Sequence, residues 1–133
     1  LWRVAVRYFP GRVVVEGGIE KSKQYIFALH PHGVGSVNHL LFMSDGAGFL
    51  TNVYPAERRY DLGASIIFMI PFFRDFLLWW GCVDASRSTA QRLLDRGSSL
   101  LVYPGGEREQ VQTEYGRDMV VLRDKKGFVR LAL

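Results

Sequence analysis

Apolar and polar positions follow two rhythms along this chain. Tyr25-Ile26-Phe27-Ala28-Leu29 and Ser99-Leu100-Leu101-Val102-Tyr103 are continuous, largely apolar runs, each followed within two residues by a proline. Runs of that length and composition predict strands, the second of them buried. Weaker runs at 12–15, 51–54 and 82–83 predict further short strands, the first closed by Gly17-Gly18 and the second by Pro55. Between these runs the apolar positions recur at helical spacing. Residues 88–96 read as a helix, with Ser88 and Gln91 as a capping box, Ala90, Leu93 and Leu94 on one face, and Gly97 as its stop. Residues 37–43 predict a short helix capped by Ser36, residues 62–80 a helical region, and a last helix begins near Lys126. Strands alternating with helices predict an α/β layered fold, with a mixed sheet flanked by helices.

A length of 133 residues fits one domain. The single cysteine, Cys82, excludes a disulfide framework and a cysteine-based zinc cage. The net charge of +4 is spread evenly, which argues against a nucleic-acid stripe. Aromatic residues make up 14% of the chain and cluster at 68–80, where Phe72-Phe73 and Trp79-Trp80 bracket Arg74. Aromatic and basic groups in that arrangement suit a lipid headgroup boundary. The uncharged run inside that segment, 62–73, is only 12 residues long, whereas a spanning helix needs about 20. Segment 62–83 therefore carries two readings, a buried helix pair or a surface at a membrane interface. The chain begins with Leu1 and ends in an uncapped helical pattern at 128–133, so the expectation is a piece of a larger protein, cut at both ends.

Two loops that follow strand ends hold the candidate chemistry, which is where ligands gather in open α/β sheets. In His30-Pro31-His32-Gly33 the proline fixes its own φ and pushes His30 into an extended conformation, so the imidazoles are held. A helix start near Ser36 would aim its positive end at them and favour a neutral imidazole, as a general base requires. Either His30 or His32 fits that role, and His32 is favoured because it lies closer to the helix. A metal site would need a third ligand, and His39 and Asp45 stand at no recognisable spacing, so no metal is expected. In Pro104-Gly105-Gly106-Glu107-Arg108-Glu109-Gln110 the glycines would let backbone N–H groups approach an oxyanion or a phosphate, and Arg108 offers a charged fork. Neither a Gly-x-Ser-x-Gly elbow nor a Gly-x-Gly-x-x-Gly or Walker loop occurs.

The sequence resembles the type-2 diacylglycerol acyltransferase family, which includes monoacylglycerol and wax-alcohol acyltransferases. The resemblance is carried by Tyr8-Phe9-Pro10, by His30-Pro31-His32-Gly33, by Pro71-Phe72-Phe73-Arg74, by Gly105-Gly106 with Glu109, and by Lys125-Lys126-Gly127-Phe128 with Ala132. These stand in the family's order over nearly the whole chain, with Lys125 where the family has arginine. The resemblance implies a partial acyltransferase domain over residues 1–133 and a glycerolipid-acyltransferase-like fold. It implies transfer of a fatty acyl group from acyl-CoA, as co-substrate, to the hydroxyl of a neutral lipid, without a metal or other cofactor. Diacylglycerol is the expected acceptor, with monoacylglycerol or a long-chain alcohol as alternatives. The implied setting is the endoplasmic reticulum membrane or the lipid-droplet surface, with an N-terminal membrane hairpin and a C-terminal part outside this sequence.

The catalytic set implied is His30, His32 and Glu109. Pro71, Arg74, Gly105, Gly106, Arg108, Lys125, Gly127 and Phe128 are the implied residues for acyl-CoA and acceptor. One departure matters. Wider glycerolipid acyltransferases place an acid shortly after the histidine, and Gly35 and Val37 stand at those offsets here. Glu109 and Asp45 are the carboxylates available to orient the imidazole instead. The rival class is a non-catalytic lipid- or membrane-binding module that keeps the fold without the machinery.

Overall fold

The computed structural model describes residues 2–9, 11–117, 119–122 and 125–133. Pro10 of the Tyr-Phe-Pro motif lies outside the described residues. The α-helices are α1, Trp2–Tyr8; α2, Leu40–Met43; α3, Phe73–Trp79; α4, Arg87–Asp95; α5, Gly106–Val111; and α6, Gly127–Ala132. The strands are β1, Ile26–Ala28; β2, Arg59–Gly63; β3, Cys82–Asp84; and β4, Ser99–Val102. The sheet is built on β4, which is buried at every residue. It pairs with β1 on one side and with β2 on the other, and β3 lies outside β2. The order is thus β1-β4-β2-β3, and each of the three pairings is parallel. The α/β class agrees with the sequence reading, but the sheet is parallel throughout where the sequence predicts a mixed one. The strand directions follow from the crossovers, since helical segments carry the chain back over the sheet between parallel strands.

Side chains alternate across the sheet and give its faces different characters. One face is aliphatic. Leu100 and Val102 of β4 pack with Ala90 and Leu93 of α4, and against Ile26, Tyr60, Leu62, Val83 and Leu94. Phe128 and Leu131 of α6 close this layer. The other face is aromatic and polar. Phe27 lies 5.1 Å from Tyr54 and 6.0 Å from Phe49, ring centre to ring centre. Tyr54 is fully buried; its hydroxyl donates to the Lys23 carbonyl at 2.7 Å and lies 2.7 Å from Ser99 Oγ.

Several local expectations change. Residues 12–15 pair with no strand among the described residues. Residues 51–54 belong to a wide helical turn, Phe49–Val53, that returns to extended backbone at Tyr54. Residues 62–63, predicted to open a helix, finish β2 instead; a 3₁₀ segment, Ser65–Met69, and then α3 come after them. The capping box of α4 does not form. Ser86 is the N-cap residue, its hydroxyl donates to Thr89 Oγ1 at 3.0 Å, and Gln91 turns to Asp95. Gly97 does stop the helix, at φ 79°, with the N–H groups of Gly97 and Ser98 returning to Leu94 and Leu93.

Segment 62–83 is not a buried helix pair. Within α3 only Leu77 is buried, while Met69, Phe72 and Trp79 stand out, the last two 88% and 87% exposed. No helix among the described residues is long and apolar enough to cross a membrane. Because Leu100 is fully buried in the central strand, Leu100→Ala should lower stability by about 2–5 kcal/mol. Phe72→Ser should leave stability, read from the urea midpoint, within about 0.5 kcal/mol of wild type, because an exposed ring loses nothing on folding.

Candidate active site

The site lies beyond the C-terminal ends of β1 and β4. Strand β1 runs out into His30-Pro31-His32-Gly33, and Gly33 takes φ 62°, a value that suits glycine. Strand β4 runs out through Tyr103 and a turn at Pro104-Gly105 into α5. The sequence predicts an open loop there, and its winding into a helix is what brings Glu109 back beneath the histidines.

Of the two candidate carboxylates, Glu109, which is 1% exposed, is the one that lies against the histidine loop. His30 Nδ1 donates to Oε2 at 3.4 Å, the His32 backbone N–H donates to Oε1, and the Val121 N–H donates to Oε2 at 3.0 Å. The Thr113 hydroxyl ties down the Glu109 carbonyl at 2.8 Å. Burial raises the Glu109 pKa, but the hydrogen bonds from Val121, His32 and His30 more than offset it, and the carboxyl titrates below its ordinary 4.5. Asp45, the alternative carboxylate, is held by the backbone and hydroxyl of Thr51.

The two histidines are held differently. With Nδ1–H on the carboxylate, a neutral His30 has Nε2 as its proton acceptor. The His32 ring is tied locally, Nδ1 to the Gly33 carbonyl at 2.8 Å, with Ser36 Oγ 3.2 Å from Nε2. Ser36 therefore serves His32 rather than capping a helix. Beyond Ser36 the chain makes one 3₁₀ turn, Val37–His39, and then the four-residue α2, so the predicted helix end is reduced to a turn.

The glycines act mainly on protein atoms. A Cβ at Gly105 would overlap the Glu109 side chain, so this glycine makes room for the buried acid. The Gly106 N–H is engaged by the Tyr103 carbonyl at 3.1 Å, and Gly106 has φ 51°. Arg108 is on the exposed side of α5. An open cavity of about 420 Å³, lined by Pro31, Gly33, Thr113, Tyr115 and Arg117 among others, adjoins the histidine loop. Gly127 and Phe128 line a separate cavity of about 310 Å³ with Leu62, Ala90, Val102 and Tyr103. Lys125 lies just ahead of α6. Pro71 and Arg74 make no hydrogen bond to the histidine loop; both are exposed beside the start of α3.

Sequence reasoning misses one group. His39 Nε2 donates to Asp61 Oδ2 at 2.8 Å, and Arg59 Nε lies 2.8 Å from Asp61 Oδ1. Tyr103 sits between this group and the site, its ring centre 5.0 Å from His32 and 5.4 Å from His39. Its hydroxyl donates to Asn38 Oδ1 at 3.0 Å, and Asn38 Nδ2 donates to the Pro31 carbonyl at 3.0 Å. The available signal is the alternation Arg59-Tyr60-Asp61-Leu62, a strand rhythm with both charges on one face. Cys82 is buried, and burial together with Asp61 pushes its thiol up to about 12, which leaves it inert.

At the C-terminal ends of a parallel sheet, a histidine thus lies against a buried carboxylate. The whole sequence, residues 1–133, matches the diacylglycerol acyltransferase family, and the chain belongs to that family. It is 31% identical over 135 residues to diacylglycerol O-acyltransferase 2 of Dictyostelium discoideum, covering 100% of this chain and 41% of that protein. It is 32% identical over 136 residues to the human diacylglycerol O-acyltransferase 2, covering 100% of this chain and 35% of that protein. Against diacylglycerol O-acyltransferase 2A of Umbelopsis ramanniana it is 31% identical over 135 residues, with 99% and 38% covered. The chain thus spans about two fifths of the length of these curated relatives. No solved structure matches it.

Glu109 gives a sign for the acid dependence of stability. A carboxyl whose folded pKa is depressed adds stability above its unfolded value, near 4.5, and loses it as pH falls through the folded value. Wild type should therefore lose stability below about pH 4.5, and Glu109→Gln should flatten that limb, read as urea midpoints between about pH 3 and 7. Gly105→Ala should displace the carboxylate and weaken the same limb.

Proposed function

We propose that this chain carries the histidine–carboxylate part of an acyl-CoA-dependent O-acyltransferase that esterifies diacylglycerol to triacylglycerol. The observation that carries the reading is Glu109 beside His30 at the strand ends, in a chain that matches the family along its whole length. His30 is the general base in this reading, ahead of His32, because His30 has the carboxylate on Nδ1 and Nε2 to accept a proton. Nε2 takes the proton of the acceptor hydroxyl as its oxygen attacks the thioester carbonyl. The tetrahedral intermediate collapses, the C–S bond breaks, and CoA leaves as a thiolate that receives the proton from His30. Glu109 holds the ring in this tautomer and stabilises the imidazolium, the role a buried carboxylate has behind other catalytic histidines.

The cavity bounded by Leu62, Ala90, Val102, Phe128 and Leu131, with Arg87 and Arg130 also in its lining, offers an apolar floor that suits an acyl chain. The exposed ridge of Met69, Phe72 and Trp79 suits the surface of a bilayer, at the endoplasmic reticulum or a lipid droplet. Monoacylglycerol and long-chain alcohols are the alternative acceptors. The non-catalytic module drew its support from a missing acid partner, and Glu109 weakens that support.

Labelled oleoyl-CoA and a panel of lipid alcohols, given to membranes carrying the full protein, test the reading. His30→Ala and Glu109→Gln should each cut ester formation by about 10²–10⁴ at unchanged protein level. Near-wild-type turnover in His30→Ala would remove His30 as base, and CoA release without any ester would make the protein a hydrolase. In flotation with phosphatidylcholine vesicles, Phe72→Ser with Trp79→Ser should weaken binding in high salt, where an apolar contact persists and an ionic one is screened.

A further inference from the structure

Asp61 and Arg59 are buried charges that the proposed reaction does not use. Asp61 is 1% exposed; its Oδ2 accepts from Arg59 Nη2 at 3.2 Å and from His39 Nε2 at 2.8 Å, while Arg59 Nε lies 2.8 Å from Oδ1 as an ion pair without hydrogen-bond alignment. The Arg59 guanidinium is centred 5.5 Å from the Phe49 ring, and Arg59 Nε, Arg59 Nη1 and Asp61 Oδ1 have no hydrogen-bond partner among the described residues. Buried ion pairs seldom stabilise a fold better than apolar residues of the same volume. Stability alone is therefore a poor account of this cluster, and its reach is a better one. His39 faces the Tyr103 ring on one side and His32 faces it on another. The Tyr103 hydroxyl continues through Asn38 to the Pro31 carbonyl, inside the histidine loop.

We infer that His39, oriented by Asp61, is a positioning residue for the acyl transfer, fixing the Tyr103 ring and through it the histidine loop. The inference rests on the acyltransferase reading above. Asp61 accepts from Nε2 and so sets the tautomer and tilt of the His39 ring; Arg59 in turn keeps the carboxylate in place. The site then has two histidine–carboxylate pairs, His30 with Glu109 and His39 with Asp61. The first handles the proton. The second handles geometry, and small displacements of a catalytic loop are costly in rate.

The experiment uses the full protein in membranes, with oleoyl-CoA and diacylglycerol. His39→Ala should lower kcat about tenfold or more with KM for oleoyl-CoA changed less than about twofold, and His39→Gln, whose amide N–H can reach Asp61, should recover most of the loss. Tyr103→Leu should show a similar loss, and the double variant His39→Ala with Tyr103→Leu should be no worse than the poorer single one, because both act through one ring. Should His39→Ala fail to accumulate, His39→Phe takes its place, since it keeps a ring against Tyr103 but offers Asp61 no donor; a loss of kcat is expected. Wild-type kcat in His39→Ala or His39→Phe, no recovery in His39→Gln, or multiplying losses in the double variant would overturn the positioning role. Each of those outcomes leaves the acyltransferase reading standing, whereas a wild-type protein that forms no ester overturns that reading itself.

Discussion

The Glu109 carboxylate is removed from water and then given three donors from two separate stretches of the chain. The His30 ring and the His32 N–H come from the segment after β1, and the Val121 N–H comes from beyond α5. A charged group in that setting is costly unless its oxygens are satisfied, so the histidine loop and the 119–122 segment are each needed where they stand. The carboxylate thereby organises the end of the sheet as well as the imidazole. Any displacement of one donor is felt by the others, because they share two oxygens.

The sheet beneath this site separates two kinds of interior. Its aliphatic face, under α4 and α6, is held by shape and area. Its other face holds the Tyr54–Ser99 hydroxyl pair, the aromatic cluster and the Arg59–Asp61–His39 group. Tyr103 stands at the edge of both, lining the cavity of about 310 Å³ while touching His32 and His39. Burial and the nearby Asp61 raise the Tyr103 pKa, so the phenol stays protonated and keeps its donor bond to Asn38. The cavity and the two histidine–carboxylate pairs thus meet at one ring.

How much of this is legible in the letters depends on how local the cause is. Strand β4 is legible because both its faces are covered, which leaves an unbroken apolar run, and β1, half-buried at the sheet edge, carries a similar run. Helix α4 and its stop at Gly97 are legible because their signals also lie within a few residues. Strand β2 is not, because Arg59 and Asp61 look like surface residues until each is seen to partner the other. The histidine loop and Glu109 can be named from the sequence, but 77 residues separate His32 from Glu109, and only the fold brings them together. The capping box at Ser88 fails because the helix begins earlier, at Arg87, which leaves Ser88 inside its first turn.

Gly105 and Glu109 occupy one volume between them: the space a Cβ would fill at the glycine already holds the acid's side chain. The two positions therefore act as one in space. A side chain can be acquired at position 105 only if position 109 shrinks or turns away, and a smaller residue at 109 opens a void that a methyl group at 105 would fill. The smallest residue in the loop is thus what allows a charged one to be buried four positions on.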